Sequence, residues 1–355
     1  MSRPKLLMAM SGGVDSAVAA LLLNKTYDLT GITMRLWAEC ENVPDTLDTL
    51  PDQNAIDAKK IADALGFPHL TVALGESFRK NVVDKFINEY KRGNTPNPCV
   101  DCNRCIKFGK LFDIADTMNI PYLATGHYAI ITKDANQSYS LHKAKDINKD
   151  QSYFLWSIKK ERLPYILFPL GEYSKEQIRA IASEQKLASA HRSDSQDICF
   201  IPNGDYTAFL EKYGCVDFKE GNFIDTQGNI IGKHSGIERY TIGQRKGLGV
   251  SFVVPMFVGK KCALDNTVTL CSDAELYSTT LTANSLNLLS NVDLEHPIRL
   301  EAKVRYRHTP AVATVEKIDV DRIKVVFDKP QRAISAGQSV VLYDGDLLVG
   351  GGIIE

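Results

Sequence analysis

The chain has 355 residues, 44% of them apolar, which is enough for two or three domains with a sizeable core and too ordinary for a disordered or fibrous protein. Its 42 Lys and Arg balance 43 Asp and Glu to a formal net charge of −1, so a uniformly basic nucleic-acid binder is excluded and any basic surface must be a local patch. No apolar run approaches a transmembrane helix, the N-terminus lacks the order of a signal peptide and the eight cysteines form no small disulfide scaffold, which predicts a cytoplasmic protein without a membrane partner.

Residues 5–10 are a short apolar run, Ser11-Gly12-Gly13 can turn sharply, and residues 15–23 read as a small-residue helix. A strand, a tight loop and a helix in this order build an anion site. Gly12 and Gly13 have no Cβ to obstruct a phosphate, the helix N-terminus offers free N–H groups, and Ser11 and Ser16 add hydroxyls. No Lys follows the second Gly, so a Walker A loop is excluded. The segment Ser11-Gly12-Gly13-Val14-Asp15-Ser16 resembles the loop of the PP-loop ATP pyrophosphatases, which split ATP between its α and β phosphates and adenylate an acceptor oxygen. The resemblance implies ATP at Ala9, Met10, Ser11, Gly12, Gly13, Val14, Asp15 and Ser16, with Mg2+ near Asp15.

Further along, residues 30–37 predict a strand, 54–65 a helix with Ile56, Ile61 and Leu65 inward, 70–74 a strand, 76–90 an amphipathic helix, 107–118 another helix and 122–125 a strand. Alternating strands and helices predict an α/β domain with a doubly wound parallel sheet, ligands lying beyond the carboxyl ends of its strands. Residues 34–53 read as a long solvated loop, whose start at Met34 borders the adenine in related enzymes.

The stretch Thr95-Pro96-Asn97-Pro98-Cys99-Val100-Asp101-Cys102-Asn103-Arg104-Cys105 places two residues between each cysteine and the next. Buried apolar cysteines, a sulfur-handling nucleophile and a thiolate metal set all fit this spacing. Ala124-Thr125-Gly126-His127-Tyr128 then lies at a strand's carboxyl end, where a lone histidine is more often structural than catalytic. It is the family resemblance together with this position that implies a place for His127 near ATP or a base. Gln151 pairs a donor with an acceptor, which suits a uracil edge, and Tyr153 and Phe154 suit either stacking or core packing. Ser174 and Gln177 form a capping box that opens a helix to about residue 186.

These segments together are similar to the tRNA-specific 2-thiouridylases: the phosphate loop, Thr-Pro-Asn-Pro with Cys102-Asn103 and Ile106-Lys107-Phe108, Ala124 to Tyr128, Lys149-Asp150-Gln151-Ser152-Tyr153, and Ser195-Gln196-Asp197-Ile198-Cys199-Phe200. Residues 240–249 and 333–339 extend the likeness over nearly the whole chain. The resemblance implies adenylation of the C2 oxygen of the wobble uridine and delivery of sulfur from a persulfide, giving 2-thiouridine, AMP and pyrophosphate. Cys199 would carry the persulfide and Cys102 would attack it; such chemistry calls for low-pKa thiols in a partly open site. The resemblance further implies ATP contacts at Met34 and Gly126, and tRNA contacts at Asn97, Lys149, Asp150, Gln151, Ser152, Tyr153, Arg245, Lys246, Arg305 and Tyr306. Its expected partners are the tRNAs for Lys, Glu and Gln and an upstream persulfide carrier. Cys99 stands where many members carry an Asp given a general-base role, and Asp101 does not inherit that role by spacing alone. Cys99, Cys102 and Cys199 also suggest an iron–sulfur cluster with one open iron. Another PP-loop ligase, which needs neither Cys102 nor Cys199, is the competing class.

After Pro202 glycines and short strands replace long helices, so the chain divides into a catalytic domain at 1–203, a small β-rich domain at 204–278 and a C-terminal β-barrel at 279–355. Residues 298–306 alternate apolar and mostly basic side chains, and Asp344-Gly345-Asp346 reads as a hairpin turn.

Overall fold

The computed structural model describes residues 2–37, 44–48, 52–187, 198–214 and 216–355. Its first layer is a six-stranded sheet in which Lys5–Ala9 lies between Asp28–Arg35 and Tyr122–Ala124, all parallel, with His69–Ala73 and Ile166–Leu167 outside them. Strand order reverses beside Lys5–Ala9, and the crevice at such a reversal is where doubly wound sheets bind ligands. Leu6, Leu7 and Met8 are fully buried, as a strand covered on both faces requires.

The first helix, Val14–Leu23, buries Ala17, Val18, Ala19 and Ala20, whose small side chains let it lie close to the sheet. The second, Gln53–Leu65, starts at Asp52, whose carboxylate accepts from the Ala55 N–H, and ends at Gly66 with φ +77°. Its buried face is Ala55, Ala58, Ile61 and Ala62; Ile56, expected inward, is exposed because the small alanines permit the close approach instead. The predicted 34–53 loop contains a strand, Thr46–Asp48, which adds antiparallel to His69–Ala73 at the sheet edge.

Two helical stretches are longer than predicted and share an irregularity. Gly75–Phe78, Arg79–Val83 and Asp84–Lys91 run on as one rod whose middle is π-helical. Pro98–Asp101, Cys102–Lys110 and Leu111–Thr117 do the same, with the nine residues from Cys102 wound as π-helix. Pro98 occupies the first helical position, where its missing N–H costs nothing, and Asn97 caps it by accepting from the Cys99 N–H.

The middle of the chain forms a four-stranded sheet, Gly221–Ile224, Ile230–His234, Phe257–Cys262 and Thr267–Cys271, around Phe223, Val258, Val268 and Leu270. The C-terminal part closes six strands, from Tyr277–Leu288 to Leu347–Ile354, into an antiparallel barrel sealed where those two pair. The hairpin turn at Gly345 has φ +58° and joins Ser339–Asp344 to Leu347–Ile354 as predicted. The alternation read over 298–306 forms strand only to Lys303, and residues 304–309 turn away.

The parts interlock. A hairpin of the first domain, Ile130–Lys133 with Tyr139–His142, extends the barrel sheet through His142 opposite Leu347. Tyr153 donates to the Ser339 carbonyl, Trp156 Nε1 donates to Ser339 Oγ, and Gln338 donates to the Thr95 carbonyl. Among the described residues no helix is long and apolar enough to cross a membrane.

Candidate active site

The phosphate loop forms at the carboxyl end of Lys5–Ala9. Gly12 has φ +72°, a conformation that side chains with a Cβ resist, and Gly13 caps the following helix with no side-chain partner. Ser16, expected as a free donor, donates instead to the Gly13 carbonyl and accepts from the Ser11 N–H, so its hydroxyl shapes the loop. Ser11 is exposed at the rim. A Cβ on Gly126 would lie 3.1 Å from Ser16 N and from the Asp15 carbonyl carbon, so glycine lets the 125–128 turn close onto the helix start. Met34 lies beyond Ile32, the last residue paired with Lys5–Ala9, and has its strand partner Val72 on the other side.

Asp15 is engaged. Lys175 Nζ donates to both carboxylate oxygens and the Tyr128 hydroxyl donates to one at 2.7 Å. Lys175 is the first residue of the helix Lys175–Glu184, which has the predicted capping box of Ser174 and Gln177. Its side chain is 7% exposed. A cleft of about 680 Å³ opens beside it, lined by Lys145, Lys149 and Arg179 among others. Neither the pairing nor the cleft was legible from sequence, because Lys175 inside the cap of Ser174 and Gln177 reads as a solvated helix start and its partner Asp15 is remote along the chain.

Three thiols gather around Lys107. Cys102 is buried, while Cys99 and Cys199 reach the surface. Cys199 is carried by Phe200, whose ring packs edge-on to Phe78 and Phe86 at 5.5 Å and to Phe209 at 5.1 Å. Residues 195–197 of the second cysteine motif lie outside the described residues. Burial raises all three thiols, Cys102 to about 12, and neighbouring thiols add to this at Cys99 and Cys102. The expectation of low-pKa cysteines is therefore corrected for this state: all three are raised, and around buried Cys102 too little water reaches the sulfur to support a thiolate. The opposing influence common to all three is the positive charge of Lys107, joined at Cys199 by a backbone hydrogen bond. Among the described residues no three His, Cys, Asp or Glu side chains group as a metal site, so geometry lends no support to a cluster on Cys99, Cys102 and Cys199.

Asp101 is buried between Lys85 at 2.8 Å and Arg104 at 2.9 Å, a structural ion triad and not a free base. His127 is also interior. Its Nδ1 lies 2.7 Å from Thr125 Oγ1 and its Nε2 3.3 Å from Lys107 Nζ, with the rings of Phe108 and Phe168 packed on it. Burial, helped by Lys107, holds its pKa well below the usual histidine value, so it is neutral.

The residues expected against tRNA divide sharply. Asp150, Ser152 and Tyr153 are buried, and Asp150 accepts from the N–H groups of Ala144 and Ser152 and from the Ser152 hydroxyl. They join the first domain to the barrel and have no surface for RNA. Arg305 likewise donates to the Ile242 and Ala333 carbonyls and to Ser335 Oγ, tying the barrel to the middle sheet. Tyr306 is half-buried, its ring 4.4 Å from that of Phe154. Gln151 Oε1 accepts from the Tyr128 N–H. Arg245 and Lys246 are exposed, Lys149 and Asn97 half-exposed.

A phosphate loop at the sheet's reversal point, with a buried thiol and an exposed one beside Lys107, defines the fold as that of a PP-loop protein. Comparison with known proteins makes this specific. Family models match in sequence: a tRNA methyl transferase HUP domain over residues 4–203, a tRNA methyl transferase PRC-barrel domain over 207–272 and an aminomethyltransferase beta-barrel domain over 278–354. The tRNA-specific 2-thiouridylase MnmA of Acetivibrio thermocellus is 46% identical over 359 residues, covering 100% of both chains. Those of Clostridioides difficile, at 45% over 99% of this chain and 98% of that one, and Clostridium kluyveri, at 46% over 99% of each, are similar. The chain belongs to the tRNA-specific 2-thiouridylase family, a family of ATP-using tRNA sulfurtransferases.

Proposed function

We propose that this protein replaces the C2 oxygen of the wobble uridine of tRNA by sulfur, using ATP with Mg2+. The observation that carries the reading is that Cys199 comes beside Cys102, which lies on a helix whose Lys107 contacts the turn that packs on the phosphate loop. The loop binds the phosphates through Gly12, Gly13 and the helix N-terminus, with Ala9 to Ser16, Met34 and Gly126 around the nucleotide. Attack of the C2 oxygen on the α phosphorus releases pyrophosphate and leaves AMP as a leaving group on a carbon otherwise too weakly electrophilic.

Cys199, exposed and anchored by Phe200, takes sulfur from a carrier and holds it as a persulfide. Cys102 attacks the Cys199 sulfur, releasing sulfide toward C2 and leaving a Cys102–Cys199 disulfide for a thiol reductant. Arg245 and Lys246, with Asn97, Lys149 and Gln151, are the side chains with surface to meet the RNA. The tRNAs for Lys, Glu and Gln are the substrates we would try first, a persulfide-bearing carrier the donor, and the cytoplasm the compartment. The domain division at 203/204 and 278/279 belongs to the same reading.

The test is mass spectrometry of an unmodified tRNA-Lys transcript incubated anaerobically with protein, ATP, Mg2+ and sulfide. A sulfur-for-oxygen mass gain at the wobble uridine, lost in Cys102→Ala, is expected; transcript that never gains the mass overturns the reading. Iron-free protein that gives the product in full also disposes of the cluster, whereas a requirement for reconstituted iron would establish it.

A further inference from the structure

The helix carrying Cys102 changes its winding at that residue. In an α-helix, positions five apart diverge around the axis by about 140°. From Cys102 to Lys110 the chain is π-helical, and one hydrogen-bonded turn spans five residues, so Lys107 comes round to the side of Cys102. Gly109 accommodates the wide turn: a Cβ there would stand 3.0 Å from the Arg104 carbonyl oxygen, five residues back.

Lys107 is held from across the site. Its Nζ donates to His127 Nε2 at 3.3 Å, which leaves the imidazole proton on Nδ1 to be donated to Thr125 Oγ1 at 2.7 Å. A neutral, buried imidazole fixes the ammonium without cancelling its charge. The surrounding groups do not cancel it either: Cys99, Cys102 and Cys105 lie on its own helix and Cys199 on the 198–201 segment, while Asp101 is occupied by Lys85 and Arg104.

We propose that Lys107 is the positioning residue of the sulfur step: anchored by His127, its ammonium is the countercharge for the anionic sulfur present as Cys102 displaces the terminal sulfur from Cys199. The inference rests on reading this site as a sulfur-transfer centre. In that step the Cys102 thiol first gives its proton to solvent. Its sulfur then bonds to Cys199 Sγ, the bond from Cys199 Sγ to the terminal sulfur breaks, and the terminal sulfur leaves as HS− with the electron pair of that bond. Negative charge is present before, during and after, and an opposite charge nearby lowers its energy throughout.

The test reads the sulfur site alone, without tRNA or ATP. The reduced full-length protein is alkylated with neutral iodoacetamide or anionic iodoacetate, and the rates at Cys102 and Cys199 are taken from peptide mass spectrometry. In the wild type the iodoacetate-to-iodoacetamide ratio at both sulfurs should exceed that of N-acetylcysteine. In Lys107→Met the ratio should fall to that reference and iodoacetamide alkylation at pH 8 should slow by about tenfold, with Lys107→Arg recovering most of the loss. A wild-type ratio no higher than the reference overturns the proposal even if Lys107→Met does not fold. So does a folded Lys107→Met whose rates match the wild type. Because thiolation is not measured, failure here leaves the tRNA assay to stand or fall by itself.

Discussion

Both oxygens of the Asp15 carboxylate accept hydrogen bonds from Lys175 Nζ, at 2.8 and 2.9 Å, across 160 residues of chain. An acidic side chain in the first turn of a phosphate-binding helix is thereby neutralised from another helix. Lys175→Met strands the carboxylate beside Tyr128, and with Asp15 about a third exposed the cost should be about 1–3 kcal/mol. Asp15→Asn in the same background should recover part of it. Urea denaturation of both single variants and the double checks this; strictly additive losses would mean that the two groups do not act as a pair.

The same pairing predicts how the site responds to metal. Mg2+ alone has to compete with Lys175 for Asp15, whereas ATP brings phosphate oxygens that offer the cation other ligands. Thermal unfolding should therefore be unmoved by millimolar Mg2+ without nucleotide and rise when ATP is added with it. Chelating the metal from the ATP-bound sample should lower the midpoint again. A clear rise with Mg2+ alone would show Asp15 to be available.

Tyr153 is fully buried with its hydroxyl on the Ser339 carbonyl. Tyr153→Phe should cost about 1 kcal/mol and Tyr153→Ala about 3–5 kcal/mol of stability, since the latter opens a cavity between domain and barrel. If Tyr153 stacked on RNA, the loss would appear in tRNA affinity with the folded state intact. Denaturation and filter binding on the same preparations separate the two.

What was legible from sequence was local. The phosphate loop declares itself because its residues are consecutive and its function needs backbone geometry, and the Gly345 turn and the Ser174 cap follow from the same kind of short-range chemistry. Lys175 was invisible because its partner is remote in sequence and a lysine opening a helix looks like solvent. Asp150 was placed against tRNA, and Tyr153 left between stacking and core packing, because a segment that glues two domains together has the same aromatic and polar composition as one that meets a base. The π-winding from Cys102 leaves no trace in apolar periodicity over so few residues, and with it went the partnership of Lys107 with the thiols.

Arg245 and Lys246 remain on the surface in the turn between Tyr240 and Phe257. If they meet RNA phosphates, replacing either by Ala should weaken binding of every tRNA alike and reduce the slope of log affinity against log salt by about 1. Fluorescence anisotropy over a salt series measures it. An unchanged slope would assign these residues to solvent, and a loss confined to one tRNA would assign them to base reading.

His127 makes folding stability depend on pH in a predictable direction. Its folded pKa is depressed by burial and by Lys107, so below about pH 6.5 the unfolded chain binds a proton that the folded one refuses. The unfolded state then binds more protons, and stability falls as pH falls, by up to about 1.4 kcal/mol per unit from this one group. The fall ends once pH passes below the folded pKa. His69, His142, His234 and His308 are also depressed, chiefly by desolvation, and add to the slope. The contribution of His127 is isolated by difference: His127→Gln should be less stable than wild type at pH 7.5, yet lose less on going to pH 5.5. Urea denaturation at the two pH values measures this, and parallel losses in both proteins would show that the imidazole accepts its proton while buried.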